Sequence, residues 1–169
     1  MSGGKAGGRL MRAALRFLKR TKGRNRPDRM NPHFTEHVIG GGHVKPGMPK
    51  GTGYHYRPGG QDFPGRRLQP GSIVKDPKTG AYRAKPEFFD STLNPPHGAW
   101  KPKKGPNGES SFFPDDWTPA QVDNAISGAF QNATPVPGTN LWRGKHKDLV
   151  IEGFYNGSGG FTHGWPVVP

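Results

Sequence analysis

Residues 110–132 read SSFFPDDWTPAQVDNAISGAFQN and carry the clearest structural signal of the chain. Thr118 can cap the N-terminus of a helix, Pro119 fits the first helical position, and Gln121 completes a capping box with Thr118. Apolar side chains then recur at the spacing of one helical face, at Val122, Ile126 and Phe130. The stretch predicts a helix over about 119–131, which the turn-forming residues NATPVPGTN bring to an end.

Short β-like segments flank this helix on both sides. On the N-terminal side, SIVKD and AYRAKPEFF surround the turn DPKTG, which predicts a hairpin over roughly 72–89. On the C-terminal side, LVIEGFY and FTHGWPVV surround NGSGG, which predicts a second hairpin. From about residue 34 onward we expect short strands rather than helices, apart from 119–131. The predicted fold class is α+β, with short antiparallel sheets, one clear helix and long loops.

The composition supports a single small, loop-rich domain. The 169 residues include 27 Gly and 19 Pro, and only 30% are hydrophobic, so the chain is poor in core residues and rich in turns. Ten Phe, four Trp and four Tyr can nevertheless close a small core. The absence of Cys excludes disulfides, thiolate metal sites and a cysteine nucleophile.

Positive charge is concentrated in the first thirty residues. Residues 1–30 contain ten Lys or Arg against Asp28, a balance of +9, which leaves 15 bases and 11 acids, or +4, for residues 31–169. Residues 10–20, LMRAALRFLKR, predict a basic amphipathic helix that is too short and too charged for stable membrane insertion. We therefore divide the chain into a basic linker or tail, 1–30, and a domain, 31–169, with a flexible boundary between them. The basic helix is interpreted as a solvated linker, with contact to a membrane surface or to RNA as the alternatives.

The chain has seven histidines, of which His37 and His55 stand in glycine-rich surroundings, EHVIGGG and GTGYHYRPGG. Two histidines and a lysine can supply the base, the acid and the cation needed to cleave RNA through its own 2′-hydroxyl. A zinc site formed by His33, His37 and His43 is an alternative, but these residues straddle a glycine loop and no HExxH or Asp-rich sequence accompanies them.

Several segments together resemble one known family. These are EHVI, GYHYRPGG, GAYRA, the stretch from SSFFPDDW to GAFQN, then WRG, VIEGF and a final WP, in this order over residues 34–168. This pattern closely resembles the bacterial branch of the EndoU (poly-U-specific) endoribonucleases. The resemblance implies an EndoU-like fold and cleavage of single-stranded or loop RNA to 2′,3′-cyclic phosphate and 5′-hydroxyl ends.

The resemblance also implies which residues are catalytic. The family's first histidine falls on His37, as general acid, and its second on His55, as general base. Its lysine, which stabilises the phosphorane, falls best on Lys104, while Lys103 or Lys101 takes this place if the following loop has shifted register. His43, directly after three glycines, is an alternative to His55.

Further residues are implied to bind the substrate. Where the family ends in a Thr-Ala-Tyr-like strand this chain reads FTHGWP, so Trp165 takes the tyrosine position, and His163 or Thr162 takes the threonine position. Tyr54 can orient His55 or stack on a base, and Arg57 can bind phosphate or be solvated.

Many bacterial members of the family are toxin domains of polymorphic or contact-dependent inhibition effectors. The resemblance thus implies a secreted or delivered protein that acts in the target-cell cytoplasm, with an upstream delivery protein, a cognate immunity protein and RNA, tRNA included, as partners. It implies no required cofactor, with Mn²⁺ as a stimulating ion in some relatives. The alternative is a non-catalytic RNA-binding or assembly protein whose basic tail supplies affinity.

Overall fold

The computed structural model describes residues 3–21, 29–42 and 44–169, without the side chains of residues 3–6, 32 and 33. Three α-helices are described, α1 Gly3–Thr21, α2 Pro32–Ile39 and α3 Pro119–Gln131, together with 3₁₀ turns at Pro58–Gly60 and Pro106–Gly108. The strands are β1 Arg66–Leu68, β2 Val74–Lys75, β3 Tyr82–Ala84, β4 Pro86–Asp90, β5 Ala99–Pro102, β6 Ser110–Phe112, β7 Thr134–Pro135, β8 Leu141–His146, β9 Leu149–Tyr155 and β10 Phe161–Pro166.

The strands form three small antiparallel sheets, which confirms the predicted α+β class. Their strand orders are β1-β4-β5, β2-β3-β6 and β10-β9-β8-β7. Along the chain described above, no helix is both long and apolar enough to cross a membrane.

Helix α3 begins as its sequence predicts. Thr118 accepts a hydrogen bond from the Gln121 amide at 3.1 Å, and the Gln121 side chain returns one from the Thr118 amide at 2.6 Å, so the capping box is complete. The helix packs against β8, where Gly144 allows close approach to the Ala129 carbonyl.

The C-terminal hairpin is confirmed as β9 and β10, whereas the first predicted hairpin is only partly correct. Strands β2 and β3 pair around residues 76–80, but β4 leaves them and pairs with β1 and β5. Pro86 lies at the point of departure. Since proline has no amide donor, it cannot continue the β3 ladder.

The expectation of β-like structure from residue 34 is wrong for the segment that contains His37. Residues Pro32–Ile39 form helix α2, in which Val38 and Ile39 are fully buried. Pro32 suits the first turn of a helix. The helix ends before Gly41 and Gly42, whose φ angles of +92° and +82° suit glycine.

Helix α1 is longer than the predicted 10–20 and contacts the rest of the chain. Ala14 and Phe17 are buried within the same hydrophobic cluster as residues of α3 and the sheets. Residues 22–28, most of the expected flexible boundary, lie outside the described residues. The division into a tail and a domain at residue 30 stays a prediction.

Candidate active site

A cavity of about 540 Å³ lies between α2, β10, the loop that holds His55 and the loop after β5. Its lining includes His37, His55, Lys103, His163 and Trp165. It therefore brings together side chains that lie more than a hundred residues apart in the sequence.

The backbone between α2 and β6 explains why two histidines meet here. The amides of Tyr54 and His55 donate to the carbonyls of His37 and Val38, at 3.2 and 3.4 Å, and so satisfy groups that the end of α2 leaves unpaired. On the other side, the Phe113 amide donates to the His55 carbonyl at 2.9 Å. The segment of His55 is thus fixed between α2 and the end of β6.

Close packing of this segment against α2 depends on glycine at position 53. Its φ is +80°, and a Cβ there would lie 2.8 Å from the His37 carbonyl oxygen and 3.0 Å from the His37 ring. The centroids of the His37 and His55 rings are 6.2 Å apart. At this separation both imidazoles can reach one phosphodiester group.

The hydrogen bonds of His55 assign its two ring nitrogens. Nδ1 lies 2.8 Å from the Ser111 carbonyl, which can only accept, so Nδ1 carries a proton and Nε2 of the neutral ring is an acceptor. The Oγ of Ser110 lies 3.2 Å from the same Nδ1. Burial, together with the nearby charges of Lys103 and His37, holds the pKa of His55 well below its ordinary value. The ring is therefore neutral at neutral pH and suited to act as a base.

The three lysines of the cluster 101–104 have different surroundings. Lys103 Nζ donates to the Gly53 carbonyl at 2.8 Å and to Ser110 Oγ at 3.0 Å, so Ser110 connects it to His55. Burial lowers the pKa of Lys103 to about 7. Lys104 is exposed at the edge of the cavity.

Lys101 lies in a different environment, where its Nζ bonds to Asp90 Oδ2 at 2.9 Å and to two backbone carbonyls. It does not line the cavity. Of the three lysines, Lys103 is the one that interacts with His55.

His163 adds a third imidazole to the cavity. Its ring stacks on Phe34 with centroids 4.5 Å apart and meets the ring of His37 edge-on at 4.9 Å. A bulge in β10 between Phe161 and Gly164 gives this strand one residue more than β9 opposite it. Thr162 and His163 are the two residues that lie within this bulge.

The bulge directs His163 rather than Thr162 into the cavity. His163 is 6% exposed and lines the cavity, whereas the Thr162 hydroxyl bonds to His163 Nδ1 at 2.9 Å. Trp165 stacks at 6.0 Å from His55 and meets Phe154, which is 45% exposed, at 5.5 Å. Phe154 and Ser110 were not singled out from the sequence, because only the folded sheet brings them to the histidines.

Tyr54 and Arg57 lie behind His55 rather than in the cavity. Tyr54 is fully buried, and its hydroxyl donates to Asp62. The Arg57 Nε donates to the same carboxylate at 2.7 Å. For Tyr54, these contacts favour a role in orienting His55 over stacking on a base. For Arg57, they favour pairing with Asp62 over binding of phosphate.

The metal alternative involves residues that are only partly described. His43 and the side chain of His33 lie outside the described residues. Within the part of the chain that is described, no group of three or more His, Asp or Glu side chains could hold a metal ion.

Comparison with known proteins identifies one family. The model of a family described as bacterial EndoU nuclease matches residues 32–167, which is most of the chain. No curated protein and no solved structure matches the chain.

Proposed function

The chain belongs to the bacterial EndoU nuclease family, and we propose that it is an endoribonuclease that cleaves single-stranded or loop RNA through the ribose 2′-hydroxyl. The observation that carries this proposal is the meeting of His37, His55 and Lys103 at one cavity. Flexible, unstacked nucleotides suit this chemistry, because the 2′-oxygen must align with the leaving 5′-oxygen across phosphorus.

Two of the three side chains transfer protons in the reaction, and the third stabilises charge. His55 Nε2 takes the proton of the 2′-hydroxyl as the 2′-oxygen bonds to phosphorus. The bond between phosphorus and the 5′-oxygen then breaks, and His37 gives its proton to that oxygen. The products are a 2′,3′-cyclic phosphate and a 5′-hydroxyl, so no external nucleophile is consumed.

We assign the cationic role to Lys103 rather than Lys104. The phosphorane carries extra negative charge, and a half-buried ammonium beside His55 interacts with that charge more strongly than an exposed one. The hydrogen bonds of Lys103 to Gly53 and Ser110 hold its Nζ at a fixed place.

The cavity mouth is suited to hold a nucleotide. Trp165 and Phe154 offer aromatic surface on which a base can stack, and His163 offers a ring nitrogen where the family has a hydroxyl. An imidazole can donate or accept a hydrogen bond at Nε2. Base preference in this chain therefore depends on His163, with Thr162 in a supporting position.

The first experiment compares His55→Ala and His37→Ala with His97→Ala, a matched control since His97 is exposed and does not line the cavity. The two cavity variants should lose at least about a hundredfold in rate, as general acid-base groups contribute, and the control should cleave normally. A 2′-deoxynucleotide at the scissile position should block cleavage. RNA that is bound but never cut by the pure wild-type protein would overturn the proposal and leave the non-catalytic RNA-binding alternative.

A second comparison separates the lysines. Lys103→Ala should lower kcat by about a hundredfold or more, the cost typical of losing one stabilising group, whereas Lys104→Ala should have little effect. The opposite order would return the cationic role to Lys104. Because side chains supply both proton transfers and the charge, cleavage should continue in EDTA, with Mn²⁺ at most a stimulating ion.

In biological terms, we infer a toxin that is delivered into a target-cell cytoplasm, with RNA, tRNA included, as its target. This role requires an upstream delivery protein and a cognate immunity protein. Wild-type protein expressed inside bacteria should stop growth and fragment cellular RNA, and His55→Ala should do neither. Normal growth with active wild-type protein present would contradict the toxin role.

A further inference from the structure

We propose that the exposed basic face of α1 is a second RNA-binding surface, which binds phosphates of the substrate strand beyond the cleaved bond. We define the basic face as Arg9, Arg12, Arg16, Lys19 and Arg20. The inference rests on the proposed ribonuclease function, and it adds a binding site outside the cavity.

The five bases form one continuous surface. At about 100° per residue they fall within an arc of roughly 100° around α1, and they extend over about 15 Å of its length. All five are exposed. The buried residues Ala14 and Phe17 lie on the opposite side of the helix. A strand of RNA could therefore contact several of these bases in succession.

Packing holds this surface in one orientation. Ala14 is fully buried and Phe17 is 9% exposed, both within the main hydrophobic cluster. The N-terminal half of α1 crosses the turn Pro58–Gly60 so closely that a Cβ on Gly59 would lie 2.1 Å from the Gly7 Cα. These contacts fix the orientation of α1 relative to the residues that it covers.

Among the residues that the structure describes, no acidic side chain pairs with the basic face. The sequence of α1, Gly3–Thr21, contains no Asp or Glu. Within the described ranges 3–21, 29–42 and 44–169, none of the ion pairs includes one of the five bases. Five positive charges with no acidic neighbour in their own helix attract a polyanion.

The position of α1 connects the basic face to the cavity. Helix α1 contacts α2, which carries His37, and the turn Pro58–Gly60, which follows the segment of His55. Helix α2 in turn contacts β10, which carries His163 and Trp165. On this proposal, an RNA strand that leaves the cavity passes over α2 and reaches the exposed face of α1. RNA fits this arrangement better than an anionic membrane, which would need no link to the cavity.

The test uses the variant Arg9→Gln, Arg12→Gln and Arg16→Gln in the full chain, because glutamine keeps a helix propensity close to that of arginine. The matched control is Lys75→Gln, Lys78→Gln and Lys145→Gln, which removes equal charge from exposed positions on β2, β8 and the turn after β2. Each protein is assayed on a dinucleotide, which is too short to leave the cavity, and on an unstructured RNA of roughly 30 nucleotides.

The α1 variant should cleave the dinucleotide normally. On the long RNA its kcat/KM should fall about tenfold through KM, with the control close to wild type. If the α1 variant loses activity equally on both substrates, its three arginines act on the fold or the cavity. If the α1 variant and the control lose activity equally on the long RNA, the effect is one of general charge. Either result overturns the proposal.

Binding of an uncleavable 2′-O-methyl RNA tests the surface without catalysis. Removal of three phosphate contacts should reduce the slope of log K against log salt by about 2. If the variant shows this smaller slope but the wild-type protein cuts no RNA, the basic face is supported and the ribonuclease function alone is overturned. Unchanged RNA binding, with loss of binding to vesicles of anionic phospholipid, would overturn the proposal in favour of a membrane surface.

Discussion

Lys103 and His55 share buried surroundings, which have opposite consequences for their proposed roles. Burial lowers the pKa of both, to about 7 for Lys103 and well below the ordinary range for His55. The His55 ring is therefore neutral over most of the accessible pH range, as its proposed role as base requires. Lys103 keeps its positive charge only below about pH 7. Activity that needs both states should be highest on the acid side of neutrality.

We predict that Lys103→Arg moves the alkaline limb of the pH profile. In the wild-type protein kcat/KM should fall as the pH rises through about 7, because Lys103 then loses its proton. Arginine stays charged at every accessible pH, so the variant should keep its activity to higher pH even if its maximum is lower. An alkaline limb that stays in place would show that another group, such as His37, determines it.

Tyr54 is held in an unfavourable backbone conformation next to His55. Its φ of +75° is uncommon for a bulky residue, and it persists because the ring is fully buried and the hydroxyl bonds to Asp62. The Arg57 guanidinium shares that carboxylate and also contacts the Tyr82 hydroxyl. This polar network supports His55 from behind.

Asp62→Ala should therefore reduce both stability and cleavage. The change leaves the Tyr54 hydroxyl and the Arg57 guanidinium without their carboxylate, which should lower the free energy of unfolding by about 1–3 kcal/mol. Chemical denaturation measures this, and Asp148→Ala is the control since Asp148 is exposed. Equal stability of the two variants would show that the network contributes little.

At the level of the elements, α3 packs on β8 with little space between the two backbones. A Cβ on Gly144 would lie 1.9 Å from the Ala129 carbonyl oxygen, and the backbone of α3 cannot yield as a flexible side chain would. Gly144 is thus required by close approach of two elements.

Gly144→Ala should lower the free energy of unfolding by about 1–3 kcal/mol, because α3 and β8 must move apart. Gly157→Ala is the control, since a Cβ at that turn position meets nothing within 4 Å. Thermal and chemical denaturation report the difference. If the two variants are equally stable, the helix must tolerate displacement from the sheet.

For the whole molecule, the main question is whether α1 folds as part of the same unit. Phe17→Ala should lower the free energy of unfolding of the entire chain by about 3 kcal/mol, because it opens a cavity in the shared cluster. Leu15→Ala changes a 52% exposed residue of the same helix and should have little effect. A Phe17 variant with unchanged global unfolding would support the prediction of a separate tail.

Local signals in the sequence were sufficient for some elements of this fold. The helix at 119–131 and the hairpin of β9 and β10 were predictable, because a capping box, a helical stripe and an Asn-Gly turn act within a few residues. Helix α2 was not predictable in this way. Its eight residues have few local signals, and burial of Val38 and Ile39 against the rest of the chain stabilises it.

The sequence by itself determined the family, the α+β class and two of the histidines that line the cavity, His37 and His55, because these depend on residue types in a fixed order. Only the tertiary structure showed that Lys103 rather than Lys104 contacts Ser110, and that His163 rather than Thr162 lines the cavity. Neighbouring residues of a loop or bulge differ in direction and burial, and both depend on contacts with distant segments. The packing of α1 could not be predicted for the same reason. Its apolar stripe is visible in the sequence, but the surface that covers this stripe is not.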